Sequence, residues 1–200
     1  MVTMARLPMA PLQPQERWQQ ILYKALERDF NLKPGEMDEY TRTLACSKVV
    51  VDAISAGGAH RYIMYESTLS RKLAETIGVL VSRKNRCHFC ADAHTRSLEV
   101  QQGEGDLEWL HRFVEAVTAD RVEQLPGYSD REKSALKFAQ KAARDPKQLT
   151  GGDFDELRSA GYHDREILDI LSAVALFEMH NRIVIALGLR MIERFRRHEF

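Results

Sequence analysis

From Asp164 onward, Ile167, Leu168, Ile170, Leu171, Val174, Leu176 and Phe177 cover more than half the circumference of a helix. A helix apolar on that many sides has to be enclosed, so the chain must supply other elements to pack around it. The remaining residues repeat the same period. Trp18, Ile21, Leu22, Ala25 and Leu26 share one helical face until turn residues at 31–35. Leu44, Ala45, Val49, Val50 and Ile54 predict a helix from about Glu36 to the break at Gly57 and Gly58. A short helix over 60–66 follows, and then a stripe of Leu73, Ile77, Leu80 and Val81 within 70–86. After a break at 84–86 a helix resumes at or just past Cys87 and runs to Gly103. Helices are also expected over 106–118, 130–143 and 153–160. Ser129 with Glu132 three residues on forms a capping box at the start of the second of these. There is no period-two alternation long enough for a strand and no Gly-rich phosphate loop. The fold class is therefore all-α, with about eight to ten helices.

Pro8, Pro11 and Pro14 cannot donate the bonds of a regular helix, so residues 1–14 read as an extended arm, suited to packing on a neighbouring subunit, ahead of a single helical domain over 15–200. A chain of 200 residues buries about 70% of its unfolded surface and needs no covalent braces. Its 29 basic and 29 acidic side chains cancel, which leaves no global field to hold nucleic acid or an anionic membrane. No run of about 18 uncharged apolar residues is present to span a bilayer, and Met1 to Pro8 lack the pattern of a secretory leader. The expected location is the cytoplasm. Residues 71–81 and 165–175 share a similar order of apolar and acidic positions, with Glu75 matching Asp169; one such alignment is a weak sign of an internal duplication.

The chemistry gathers at Glu75, Cys87, Cys90 and His94. Positions 87, 90 and 94 line one helical face over two turns and bring two thiols beside an imidazole. In a reducing compartment a close cysteine pair reads as redox-active or metal-binding before it reads as a brace. A thiol is mostly protonated at neutral pH, whereas attack on a peroxide requires the thiolate. His94 can take that proton directly or through water, and the amides at a helix start favour the anion. A turn at 84–86 would fold the preceding helix back so that Glu75 orients His94. A sulfenic acid on one sulfur can be displaced by the other, closing a disulfide that an external dithiol reopens.

Glu75, Cys87-His88-Phe89-Cys90 and His94 together resemble the Glu and CxxCxxxH signature of the alkylhydroperoxidase-D (AhpD) group, within the carboxymuconolactone decarboxylase-like superfamily. Residues 129–139, 161–167 and Asn181-Arg182 are similar to the subgroup of peroxidase-related proteins. The resemblance covers roughly residues 35–190. It implies an all-helical homo-oligomer reducing hydroperoxides through a disulfide intermediate, with Cys90 attacking, Cys87 resolving and facing the reductant, and a lipoyl or thioredoxin-like protein as electron donor. No organic cofactor or metal is implied. Phe89 stands where the best-known members carry a further relay histidine, so the proton path differs here. Members that decarboxylate lack the cysteine pair.

Other readings stand beside these. Glu75, Cys87, Cys90 and His94 are also four possible zinc ligands of a helical interaction protein, and the pair also suits a redox sensor or disulfide-exchange module. Glu75 can simply pair with Arg71 or Lys72. Cys46 among apolar neighbours reads as a buried small hydrophobe. His88 is either exposed or tunes the thiols. His180, Asn181 and Arg182 read as a buried anchor or subunit contact, and less as an active-site wall.

Overall fold

The computed structural model describes residues 5–33, 35–55, 57–103 and 105–196, and among these there is no strand. Residues 1–4 of the expected arm, on which the leader reading also rests, lie outside the described residues. The helices are α1 (Arg17–Asp29), α2 (Glu39–Leu44), α3 (Lys48–Ile54), α4 (Ala59–Arg61, continuing as a π turn over Tyr62–Glu66), α5 (Arg71–Lys84), α6 (His88–Gln102), α7 (Leu107–Thr118), α8 (Asp130–Arg144), α9 (Gly151–Ser159) and α10 (Asp164–Leu187).

The core is built on α5 and α10, with α6, α8 and α9 around them. Every residue of α5 from Leu73 to Ser82 is buried. Ile167, Ile170, Ala173, Val174, Leu176 and Phe177 carry the inner face of α10, while Leu168 is exposed. By length and composition α10 could cross a membrane; in this fold it is the central element, holding the buried Asp169, His180 and Asn181. The expected capping box is present: the Glu132 amide donates to Ser129 Oγ at 3.2 Å, and the Ser129 amide to Glu132 Oε2 at 2.8 Å.

Two sequence expectations are corrected. The helix expected across 36–57 is two helices, because the chain turns at Ala45 to Ser47 and the Ser47 hydroxyl accepts from Val50 N to start α3. Cys46 therefore sits in a surface turn and is exposed, not buried, with its thiol 3.4 Å from the Pro8 carbonyl. Residues 5–14 are irregular and lie on their own chain: Arg6 N donates to the Leu187 carbonyl and Ala10 N to that of Arg42, so Ala10 is buried in a second apolar cluster with Leu22, Tyr23, Met37 and Val51.

The turn that positions the site joins α5 to α6. Arg86 takes a left-handed conformation (φ 56°), and Cys87 N donates back to the Ser82 carbonyl at 2.9 Å. The reversal lays α6 along α5 and leaves Cys87 as the residue that caps α6.

Candidate active site

Cys87 is the residue that caps α6, and one turn on the Cys90 side chain lies 3.1 Å away; both are free thiols. The hydrogen bond from the Cys90 thiol, together with the Cys90 amide, outweighs burial and holds Cys87 below the ordinary thiol range. Cys90 goes the other way: donating to Cys87, then burial, then the nearby Cys87 charge push it well up, and a hydrogen bond with Asn181 opposes them. Cys87 is thus the more acidic sulfur and Cys90 the one that keeps its proton.

Glu75 and His94 form the second half. Glu75 Oε2 is 2.6 Å from His94 Nδ1, while Oε1 accepts from Arg71 Nε at 2.7 Å and from Ser97 Oγ at 2.6 Å. The pairing with Arg71 and the bond to His94 therefore coexist. Burial alone would raise the pKa of Glu75, but the hydrogen bond and charge of His94, the charge of Arg71 and the Ser97 hydroxyl bring it down to about 2. When the ring is neutral and Nδ1 donates to the carboxylate, Nε2 is left as its acceptor. The ring also meets Phe177 edge-on at 4.6 Å and lies over Gly78, where a Cβ would stand 2.7 Å from Cγ. Only glycine at that turn of α5 leaves the imidazole its place.

Cys90 and His94 meet across a cavity of about 100 Å³. Among the described residues no hydrogen bond joins them directly. The cavity wall is largely apolar: Leu26 from α1, Phe30 and Leu32 just past it, Phe89 and Ala93 from α6, and Met191 and Ile192 beyond α10. Tyr40, His60 and His180 complete it. Burial brings His60 down to about 3 and His180 to about 4, so both are neutral imidazoles near pH 7. They stack at 5.7 Å, and His180 Nε2 lies 3.1 Å from the Ile54 carbonyl. Cys87 lines a separate hollow of about 40 Å³ with Arg83, Arg86 and the exposed His88.

The four residues singled out from the sequence thus fall into two joined pairs. They do not make a zinc knuckle, since among the described residues no group of three or more His, Cys, Asp and Glu side chains is placed to hold a metal ion. Asn181 turns out to be a link between helices and the thiols: its amide donates to Ser82 Oγ at 3.1 Å and its carbonyl accepts from Asn85 at 3.1 Å. Tyr40 and His60 carry no motif. His180 shows itself only as a polar residue on an apolar helix.

Residues 57–141 match the model of the carboxymuconolactone decarboxylase family. The protein YdfG of Bacillus subtilis (strain 168) is 26% identical over 126 residues, covering 62% of this chain and 80% of its own. The whole chain superposes on a peroxidase-related protein from Silicibacter sp. TM1040 with a TM-score of 0.76, 24% identity and 100% coverage of both chains. With the AhpD-core peroxidase-related protein from Ralstonia eutropha JMP134 the TM-score is 0.75 at 24% identity, over 98% of this chain and 96% of that one. The debrominase Bmp8, as a variant in complex with 2,3,4-tribromopyrrole, has the same fold, with a TM-score of 0.72 at 18% identity over 96% of each chain.

Proposed function

We propose that this chain, with a carboxymuconolactone decarboxylase-family segment on the helical fold of the AhpD-like peroxidase-related proteins, is a thiol-dependent peroxidase. The observation that carries the reading is the pair of free thiols 3.1 Å apart at the start of α6, with Cys90 opening on the cavity that the Glu75-held His94 also lines. Acidity favours Cys87 and access favours Cys90; attack needs contact with the substrate, so access decides. Cys90 gives its proton to His94 through cavity water, and its sulfur attacks the terminal oxygen of the hydroperoxide. The O–O bond breaks, a sulfenic acid forms and the alcohol leaves with the proton from His94. The Cys87 thiolate then displaces hydroxide from Cys90, which departs as water on taking up a proton, and the disulfide closes. An external dithiol, lipoyl or thioredoxin-like, reopens it by attack at Cys87 from the separate hollow that this residue lines.

Glu75 fixes the tautomer of His94 and stabilises its protonated form, as a carboxylate behind a catalytic imidazole does elsewhere. The apolar wall suits a hydroperoxide carried on a hydrocarbon body. Cys90→Ser should abolish hydroperoxide consumption with a dithiol reductant, a loss of at least about 1000-fold, while Cys87→Ser should consume about one equivalent and stall as a sulfenic acid that a dimedone-type probe traps. Undiminished turnover by C90S, followed as peroxide loss, would end the assignment.

The aromatic groups around Cys90 (Phe30, Tyr40 and Phe89) favour a second reading, in which the same thiol pair reduces a halogenated aromatic; one structural neighbour is a debrominase in complex with 2,3,4-tribromopyrrole. Halide release from a brominated pyrrole without peroxide consumption would select it.

A further inference from the structure

The two cysteines line different spaces, and the charge around those spaces differs. Asp38 and Glu75 stand in the wall of the Cys90 cavity, and no lysine or arginine lines it. The Cys87 hollow is the reverse: Arg83, Arg86 and His88 line it with Ser82 and Ala91, and no acid does. Lys84 extends the basic turn, and no acid occurs in the sequence between Glu75 and Asp92. The acids nearby do not cancel this charge. Asp92 is buried, and Asp120, which shares a neighbouring hollow with Arg83 and Lys84, is paired with Arg144. Lys84 and Arg86 are exposed, and among the described residues neither forms an ion pair. Arg86 also holds a left-handed backbone (φ 56°), which glycine or asparagine adopts at less cost. The turn itself does not ask for an arginine. Nor does the sulfur, because Cys87 is held low by the thiol and amide of Cys90 and not by a guanidinium.

We infer that the basic turn over 83–88 docks the electron donor, and that this donor is a protein with carboxylates around its dithiol. The inference rests on the dithiol-dependent half of the peroxidase reading above and adds to it the chemistry of the partner. The hollow, at about 40 Å³, is too small to enclose a reductant. Recognition therefore falls to the exposed Lys84 and Arg86 outside it, and to the surface of a partner that faces them. Opposite charges across such a contact speed productive encounter, and salt screens them. The partner's thiolate attacks Cys87 Sγ, the bond between the two sulfurs breaks, and its electron pair leaves on Cys90. That sulfur takes up one of the two protons the dithiol gives up. The partner's second thiolate then attacks the partner sulfur bonded to Cys87, which frees Cys87 and closes a disulfide on the partner. One disulfide is reduced and one dithiol is oxidised.

The test uses the full chain with the bond between Cys87 and Cys90 closed beforehand by diamide, and follows its reopening by alkylating quenched samples and mapping both cysteines. The probes are two reduced peptides, one carrying Cys-Gly-Pro-Cys between aspartates and one with asparagines in their place. Each rate is divided by that peptide's own rate with hydroxyethyl disulfide. The acidic peptide should be faster on the order of tenfold at low ionic strength, and the ratio should fall toward one in about 0.5 M salt. In the Lys84→Gln, Arg86→Gly double variant it should fall toward one at low salt as well. A change in folding slows both peptides alike, so the ratio reads charge. A ratio near one in the wild type, or one that the double variant keeps, overturns the inference. So does a preference for dihydrolipoate over dihydrolipoamide with the two peptides alike, which would make the donor a small anionic dithiol. Hydroperoxide consumption is measured separately. A wild type that consumes none and keeps the acidic preference overturns the peroxidase reading and upholds the docking surface, whereas a consuming wild type without that preference overturns this inference alone.

Discussion

Glu75 on α5 and Asp169 on α10 hold matching places in two helices that share an apolar pattern, both are buried to within 2% of full enclosure, and both are held ionised. Their partners differ in kind. Asp169 accepts from Tyr62 Oη at 2.7 Å, from Thr68 Oγ1 at 2.8 Å and from Thr68 N at 2.9 Å, all neutral donors that tie the loop before α5 to α10. Glu75 accepts from a guanidinium, a hydroxyl and an imidazole, and that imidazole lines a cavity with a thiol in its wall. Three residues on in each helix, Gly78 admits the His94 ring, and the matching position is Ser172. Burial of a carboxylate is therefore not what marks function; a partner able to change its own charge, facing space a substrate can enter, is what marks it.

Substitution tests this directly. Glu75→Gln keeps the volume but removes the charge that supports a protonated His94, and peroxide oxidation per folded molecule should fall by about 100- to 10,000-fold. Asp169→Ala should do the reverse. It leaves the Thr68 amide and hydroxyl without their acceptor, costs about 3 kcal/mol of unfolding free energy, and leaves kcat/KM per folded molecule within about twofold. Denaturant melts with matched kinetics read both. If D169A slows catalysis as much as E75Q, the two carboxylates are equivalent and the contrast collapses.

The half of the site that is legible in sequence is the half built by one helix and its reversal. Cys87, Cys90 and His94 share a face of α6 by spacing alone, and the break at 84–86 announces the turn that lays α6 on α5, where Glu75 waits. The rest of the wall is assembled from places far apart in the chain: Leu26 and Phe30, Tyr40, His60, and Met191 with Ile192. Each of these follows the same apolar or polar pattern as ordinary core or surface, and only packing of α1 and the segment after α10 brings them to Cys90. Cys46 illustrates the same limit, since an apolar neighbourhood in sequence suggests burial, yet α2 ends at Leu44 and the Ser47 cap starts α3, which leaves the thiol exposed in the turn between them. The motif lets the imidazole take the thiol proton directly or through water. Here the thiol instead meets a second sulfur and an amide, from Asn181 on α10, that sequence spacing does not join to it.

The smallest effect, and the finest test of the contrast, concerns Ser97. It is buried, donates to Glu75 Oε1 at 2.6 Å, and carries no charge, so it is the one partner of Glu75 that resembles those of Asp169. Ser97→Ala should cost about 2 kcal/mol near pH 7, the range of a hydrogen bond to a charged acceptor, with oxidation slowed by no more than about threefold because His94 and Arg71 remain. The cost should itself depend on pH. Glu75 has a folded pKa depressed from 4.5 to about 2, so its carboxylate contributes stability that is fully present above about 4.5 and is lost as pH falls toward about 2. Over that window the carboxyl gains its proton, the charge that strengthens the Ser97 bond disappears, and the difference between wild type and S97A in urea melts should shrink. A difference that stays constant from pH 7 to pH 3 would mean that Ser97 serves packing alone and that Glu75 is held by Arg71 and His94.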